Sequence, residues 1–135
     1  MSKINDAIII GSGPAGYTAG LYAGRAMLKP LLFAGYASGG QLMLTSEVEN
    51  YPGYPEGIDG PEMMTELRAQ ASRFGCDIVD KNVDSVDLSS PPFKVTVGKE
   101  EHLAKTLIIT TGAEAIWLNA QNEATHKGRG ISTCA

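Results

Sequence analysis

The chain reads as an α/β domain: a parallel sheet wrapped by helices, with a small antiparallel β-meander at one side. Three observations predict this class. The apolar run Ala7-Ile8-Ile9-Ile10 leads directly into Gly11-Ser12-Gly13-Pro14-Ala15-Gly16, and a helix of small residues follows. Strand-type and helix-type patterns then alternate, as they do in βαβ units that build a parallel sheet. Late in the chain, Phe93, Val95 and Val97 alternate with Lys94 and Thr96 ahead of a turn at 98–101, the pattern of a half-buried strand in an antiparallel pair.

Residues 6–11 are the first expected strand and 14–28 the first helix. The glycine turn between them has a reason at each position. Gly11 permits a tight strand-to-helix turn, Gly13 lets backbone N–H groups approach a pyrophosphate, and Gly16 lets the first helical turn pack on the strand. The helix N-terminus adds free N–H groups and a partial positive charge, so the turn nominates a dinucleotide ligand. A glycine fingerprint alone is weak; the strand before it and the helix after it give it weight. Ala15, Gly16, Ala19, Gly20, Ala23 and Gly24 recur at helical spacing and make a smooth face for a sheet or a cofactor. Gly20 and Gly24 each cost about 1 kcal/mol of helix propensity, which points to close packing. A helix packed on its sheet with no ligand would use the same face.

Lys29-Pro30 is expected to end this helix and Leu31-Leu32-Phe33 to form the second parallel strand. Residues 35–60, rich in Gly, Pro, Ser and Asn, make a long irregular segment of the kind that carries function in a compact domain. A second helix begins at Gly60-Pro61-Glu62, with Met63, Met64, Leu67, Ala71 and Phe74 on one face and Gly75 as its cap. The two methionines read as core. Cys76–Val79 and Val83–Leu88 are expected strands, and His102–Lys105 returns as the partner of Phe93–Val97. Leu107–Ala113 is expected as a separate last strand, buried on both faces because its apolar run does not alternate. Its Thr-Thr-Gly ending can come close to a bound dinucleotide. His102 and His126 read as solvated surface.

At 135 residues, 43% hydrophobic and 19% charged, the chain is one ordinary globular domain. Its net charge of -4 argues against nucleic acid or an anionic membrane as partner. No apolar run is long enough to span a bilayer. Met1–Asp6 leads straight to the first strand without a signal- or transit-peptide pattern, so a cytoplasmic location is expected. The two cysteines, Cys76 and Cys134, fit no metal-ligand spacing, and no metal site is expected. Cys76 reads as a small buried residue.

Three segments go beyond the generic fold. Gly39-Gly40-Gln41-Leu42, continuing to Glu47-Val48-Glu49-Asn50-Tyr51-Pro52-Gly53, resembles the flavin-binding loop of low-molecular-weight thioredoxin reductases. Ile108–Ala113 resembles the second FAD-contacting strand end of that family. Lys127–Ala135 resembles the approach to its redox-active Cys-x-x-Cys. The resemblance runs in order along essentially the whole chain, and the 39–53 loop is its most specific part.

This resemblance implies a Rossmann-like FAD-binding domain within a glutathione-reductase-like architecture of two dinucleotide-binding domains. Residues 1–116 would be the first segment of the FAD domain, and 117–135 the crossover and start of the NADPH and redox-disulfide domain. FAD would touch the turn of Gly11, Ser12, Gly13, Pro14, Ala15 and Gly16. It would also touch backbone at Ala34, Gly35, Gly39, Gly40, Gln41 and Leu42, the side chain of Asn50, backbone at Val83, and Thr111, Gly112 and Ala113. The amides of Gln41 and Asn50 suit the edge of an isoalloxazine or a ribityl hydroxyl. The implied reaction moves a hydride from NADPH to FAD, and electrons then pass through an enzyme disulfide to thioredoxin. Cys134 would be the partner-facing thiol, with Lys127 and Arg129 as candidates to lower its pKa. A homodimer is implied for the full-length protein.

The chain departs from the family pattern in two places. A carboxylate usually stands about 20 residues past the glycine turn, on the ribose hydroxyls, whereas Phe33-Ala34-Gly35 has none. The second redox cysteine, a second glycine fingerprint and the segment that completes the FAD domain are not within the 135 residues. The chain therefore reads as part of a longer protein, with an unpaired strand edge. Two other readings stay open: a non-catalytic flavin- or nucleotide-binding module, and a related flavoprotein disulfide oxidase or reductase with another donor or acceptor.

Overall fold

The computed structural model describes residues 3–133. Six strands form one sheet in the order β3-β2-β1-β6-β5-β4. They are β1 (Ile4–Ile10), β2 (Leu31–Phe33), β3 (Asp77–Val79), β4 (Ser85–Asp87), β5 (Phe93–Val97) and β6 (Glu100–Ile109). The first three and β6 run parallel, while β6, β5 and β4 form the antiparallel meander. The helices are α1 (Pro14–Arg25), α2 (Gly60–Arg73) and a single short turn, α3 (Glu123–His126). Residues Gly40–Leu44 form a 3-10 helix inside the long 35–60 connection.

Successive residues of a strand face opposite sides of the sheet, and the core divides accordingly. Ile9 and Leu32 pack with Tyr17, Met64, Ala71 and Cys76 under the helices. Ile8 and Phe33 pack on the other face with Val95, Val97 and Ala104, so the meander covers the side the helices do not. Met63 and Met64 are both buried, as expected of core residues.

Both long helices end in the same hydrogen-bonded motif. In α2, Gly75 is left-handed (φ +90), its N–H donates to Ser72 C=O at 2.9 Å, and Cys76 N–H reaches Ala71 C=O at 3.2 Å. In α1 the left-handed position is taken by Met27 (φ +60). Met27 N–H donates to Gly24 C=O at 2.9 Å and Leu28 N–H to Ala23 C=O at 3.1 Å. The first helix therefore stops at Arg25, earlier than the expected 28, because the chain turns into this cap before Pro30 is reached. At the start of α2, Asp59 supplies a cap that the Gly-Pro-Glu signal did not reveal, accepting from Glu62 N–H at 3.3 Å.

The two expected strands 102–105 and 107–113 are one continuous strand. Over Glu100–Ala104 β6 pairs with β5, and over Leu103–Ile109 it pairs with β1. One long strand thus pairs along one edge in its first half and along the opposite edge in its second, with both edges paired only at Leu103 and Ala104. It ends at Ile109, ahead of the Thr-Thr-Gly sequence. The expectation of burial on both faces fails there: Ile109 is 58% exposed. Residues 105–109 of β6 have no partner on the β5 edge among the described residues, in line with the expected open edge. His102 is also not solvated surface. It lies within β6, partly buried, with its ring edge-on to Phe33 at 5.0 Å between centroids. Its Nε2 is 3.4 Å from Glu100 Oε2 but is not aligned for a hydrogen bond.

Candidate functional site

The parallel strands end at one level. Val79 is in register with Phe33, Phe33 with Ile10, and Ile10 with Ile109. The loops after β1, β2, β3 and β6 leave from this level, at the C-terminal ends of the strands, where open α/β sheets hold their ligands.

The glycine turn sits at the centre of this level, and its three glycines do different work. Gly11 (φ +108) donates its N–H to Phe33 C=O at 2.9 Å, and a Cβ there would run into the Thr110 carbonyl. A Cβ on Gly16 would strike the Gly11 carbonyl and come 3.0 Å from Thr110 Oγ1. At Gly13 nothing lies within 4 Å of the same position, so this glycine faces open space. The first helical bond runs from Tyr17 N–H to Gly13 C=O at 3.1 Å. The N–H groups of Ala15 and Gly16 precede it and are left for a ligand or water.

Three other segments close around the turn. The Ser12 hydroxyl, buried, donates to Ala34 C=O at 2.6 Å and accepts from Gly39 N–H at 2.9 Å. It thereby holds both ends of the 34–39 loop against the turn. Gly40, left-handed at φ +68, brings its backbone so near the turn that a Cβ would lie 3.2 Å from Gly13 Cα. Thr110 Oγ1 donates to Ile10 C=O at 2.9 Å, and Gln41 Nε2 donates to Ala113 C=O. Residues 11–16, 34–42 and 110–113 thus form one backbone-lined crevice. Further down the helix, Gly20 and Gly24 are packing glycines. Their missing Cβ atoms would meet Cys76 Sγ at 2.8 Å and the Phe74 carbonyl.

Other predicted residues lie elsewhere. Asn50 sits on the loop between Val48 and Ile58, which are bridged to each other, and no described contact links it to the glycine turn. That loop is latched to α2 by the Tyr54 hydroxyl, which donates to Glu66. Val83 packs its side chain against the meander-side core. Thr111, Gly112 and Ala113 are exposed beyond β6. Lys127 stacks 3.8 Å from the centroid of the Trp117 ring, and Cys134 falls outside the described residues. In the same connecting segment the buried Glu123 accepts from Leu118 and Ala120 N–H groups, each at 3.1 Å.

Arg68, Asp80 and Asn82, which contact the 34–39 loop or one another, did not stand out in the sequence. Arg68 on α2 makes a two-pronged pair with Asp80 at 2.7 and 2.8 Å and approaches Ser38 Oγ at 3.4 Å. This hydrogen-bonded guanidinium holds the Asp80 carboxyl below its ordinary pKa. Asn82 Oδ1 accepts from Tyr36 N–H at 3.0 Å. The buried Cys76 thiol is pushed up to about 11, first by desolvation and then by the charge of Asp77, so it is not a nucleophile at neutral pH. Among the described residues no cluster of His, Cys, Asp and Glu could hold a metal ion.

Comparison with known proteins follows the same lines. The family described as pyridine nucleotide-disulphide oxidoreductase matches residues 5–135. The chain is 54% identical over 132 residues to a thioredoxin reductase of Mycolicibacterium smegmatis, covering 98% of this chain and 42% of that protein. A bifunctional thioredoxin reductase/thioredoxin of Mycobacterium leprae is 48% identical over 133 residues, covering 98% of this chain and 29% of its own length. The crystal structure of thioredoxin reductase from Streptococcus pyogenes superposes with a TM-score of 0.85 at 36% identity, over 99% of this chain and 44% of that one. The chain spans about two-fifths of the length of the Mycolicibacterium relative.

Proposed function

Because the chain belongs to the pyridine nucleotide-disulphide oxidoreductase family, we propose that it is the FAD-binding segment of an NADPH-dependent thioredoxin-disulfide reductase. The observation that carries this is the meeting of the 11–16, 34–42 and 110–113 segments, with Gly13 open and Gly40 against its backbone. The crevice fits a dinucleotide on its own terms. A Cβ at Gly13 would occupy the open cradle, and the Ala15 and Gly16 N–H groups face it without a helical acceptor. Bound FAD would supply hydride acceptance and two-electron transfer to a disulfide.

Within this proposal the turn and the helix N-terminus hold the pyrophosphate. Backbone at Ala34, Gly35, Gly39–Leu42 and Val83 lines the nucleotide, and Thr111–Ala113 close its far side. The Asn50 side chain would add a contact to FAD. Cys134 attacks the disulfide of thioredoxin, the partner named in the relatives' descriptions. Residues 1–116 belong to the FAD domain and 117–135 lead into the domain for NADPH. A homodimer and a cytoplasmic location complete the reading; among the described residues no helix is long and apolar enough to cross a membrane.

The test uses the full-length protein. We expect a structured flavin spectrum that survives desalting, and NADPH oxidation that depends on oxidised thioredoxin. Cys134→Ser should keep the flavin and lose thioredoxin reduction. Flavin retained without any turnover would instead support a binding module, and turnover with another disulfide acceptor would support the related reductases.

A further inference from the structure

We propose that Asn82 is the residue that reads the adenosine ribose in this crevice, in place of the missing carboxylate at the end of β2. The inference rests on the FAD reading above. In dinucleotide folds an acidic side chain at the tip of the second strand accepts from the ribose hydroxyls. That tip is Phe33-Ala34-Gly35, and Ala34 is buried without a polar side-chain atom.

The chain after β3 runs beside this tip. Ala34 N–H donates to Val79 C=O at 2.9 Å and Gly35 N–H to Lys81 C=O at 3.2 Å. The next side chain, Asn82, therefore stands at the end of β2, although it comes from the loop after β3. Its Oδ1 accepts from Tyr36 N–H at 3.0 Å and lies 3.2 Å from where a Cβ of Gly35 would be. Only the carbonyl end of an amide can meet an N–H, so this contact settles which end is oxygen. Nδ2, with two donors, is left without an acceptor among the described residues, on an exposed side chain.

Several neighbouring polar side chains are already paired. The Ser12 hydroxyl is spent on Ala34 and Gly39. Arg68 and Asp80 hold each other, and Lys81 pairs with Glu100 at 3.6 Å. Asn82 offers donors where the usual residue offers an acceptor. The ribose hydroxyl oxygens then accept, and the site carries no negative charge at that point.

The test is a ligand–variant cycle on the full-length apoprotein, reading affinity by flavin fluorescence. FAD is compared with analogues lacking the 2′- or the 3′-hydroxyl of the adenosine ribose. On the wild type one analogue should bind about fivefold to tenfold more weakly than FAD, the value of one hydrogen bond. On Asn82→Ala, FAD should fall by the same factor and that analogue should fall no further. Should Asn82→Ala fail to fold, Asn82→Asp keeps the acceptor for Tyr36 N–H and removes both donors. Its preference for FAD over the analogue must then differ from that of the wild type. Equal losses on FAD and both analogues would make Asn82 a turn residue only and overturn the inference, as would a wild type indifferent to both hydroxyls. A full-length protein that binds no flavin overturns the cofactor reading and this inference with it.

Discussion

Around the glycine turn the segments touch main chain to main chain and are tied by three side chains, Ser12, Thr110 and Gln41; the 48–58 loop has a two-bond backbone base and, among the described residues, a single side-chain latch. Gly11 and Gly16 touch carbonyls that no Cβ could clear, and Gly40 rests on Gly13. The other loop is closed by the Val48–Ile58 bridge and latched by one hydroxyl, Tyr54, to Glu66. Contacts between main chains leave no room for variation, and they position the part of a site that must be present before any ligand arrives. A loop latched by one exposed side-chain bond opens locally at less cost than segments packed main chain to main chain.

The largest expected effect tests the rigid side. Gly16→Ala places a methyl into the Gly11 carbonyl, which is backbone and cannot swing aside, and 3.0 Å from Thr110 Oγ1. It should destabilise by roughly 3 kcal/mol or more, or prevent folding. Gly13→Ala changes the same motif at a position with open space and an extended ψ at φ -66. Its melting temperature should stay near that of the wild type while FAD affinity drops at least about tenfold, because the methyl takes the space of the pyrophosphate. If both variants unfold alike, the division between packing and binding glycines is wrong.

One step smaller is the body of α1. Gly20→Ala would bring a Cβ to 2.8 Å from Cys76 Sγ. Overpacking of this kind costs about 1–3 kcal/mol. Combining it with Cys76→Ala should recover most of that, since the sulfur is the atom in the way. A double variant as unstable as the sum of the singles would show that the helix is held off by something else. With its raised pKa, Cys76 should also resist alkylation at pH 8 until the protein is unfolded.

The legible parts of the chain share one property: their causes are local. Gly11 and Gly16 are separated by the span of one turn, and Met63, Met64 and Ala71 by helical repeats, so spacing alone predicts their roles. The missed parts depend on partners far away in sequence. His102 looks polar among Glu100, Glu101 and Lys105, yet Phe33 lies under its ring. The runs 102–105 and 107–113 look like two strands because their polarity differs, and that difference accompanies a change of neighbour along the one strand that ends at Ile109. Met27 gives no cap signal because glycine usually fills that place. Asn82 carries no motif at all; only the fold brings it to the end of β2.

The latch on the flexible side should show a smaller effect. Tyr54→Phe should cost about 1 kcal/mol or less in global stability, as one exposed hydrogen bond is worth. Local opening should rise instead, seen as faster amide exchange at Val48 and Ile58, whose N–H groups close the base of the loop at 2.8 and 3.1 Å. The hydrogen bond to Glu66, ahead of burial, pushes the Tyr54 phenol up to about 12. Because the folded value is raised above 10.0, the latch is fully in place below about pH 10 and is lost as pH climbs through 12. Phenolate absorbance should show a late titration step that Tyr54→Phe diminishes by one phenol. An unchanged titration would mean that the latch does not hold in solution.

The smallest expected effect lies where the two regimes meet. Arg68 reaches from α2 to Asp80 and to Ser38 at the edge of the rigid loop, through side chains that are 33% and 52% exposed for the ion pair. Solvent screening at that exposure limits the pair to about 1 kcal/mol even with two parallel hydrogen bonds. Asp80→Asn should therefore lower stability slightly at pH 7. The Asp80 carboxyl is held below 3.8, so its contribution is complete above about pH 4 and is lost as pH falls through the folded value. The difference between variant and wild type should shrink on acidification and vanish below that value, where both carry a neutral group opposite Arg68. High salt should shrink it too. A gap that persists at low pH would assign Asp80 a role through shape, with the carboxamide unable to reproduce the fork that seats Arg68 beneath Ser38.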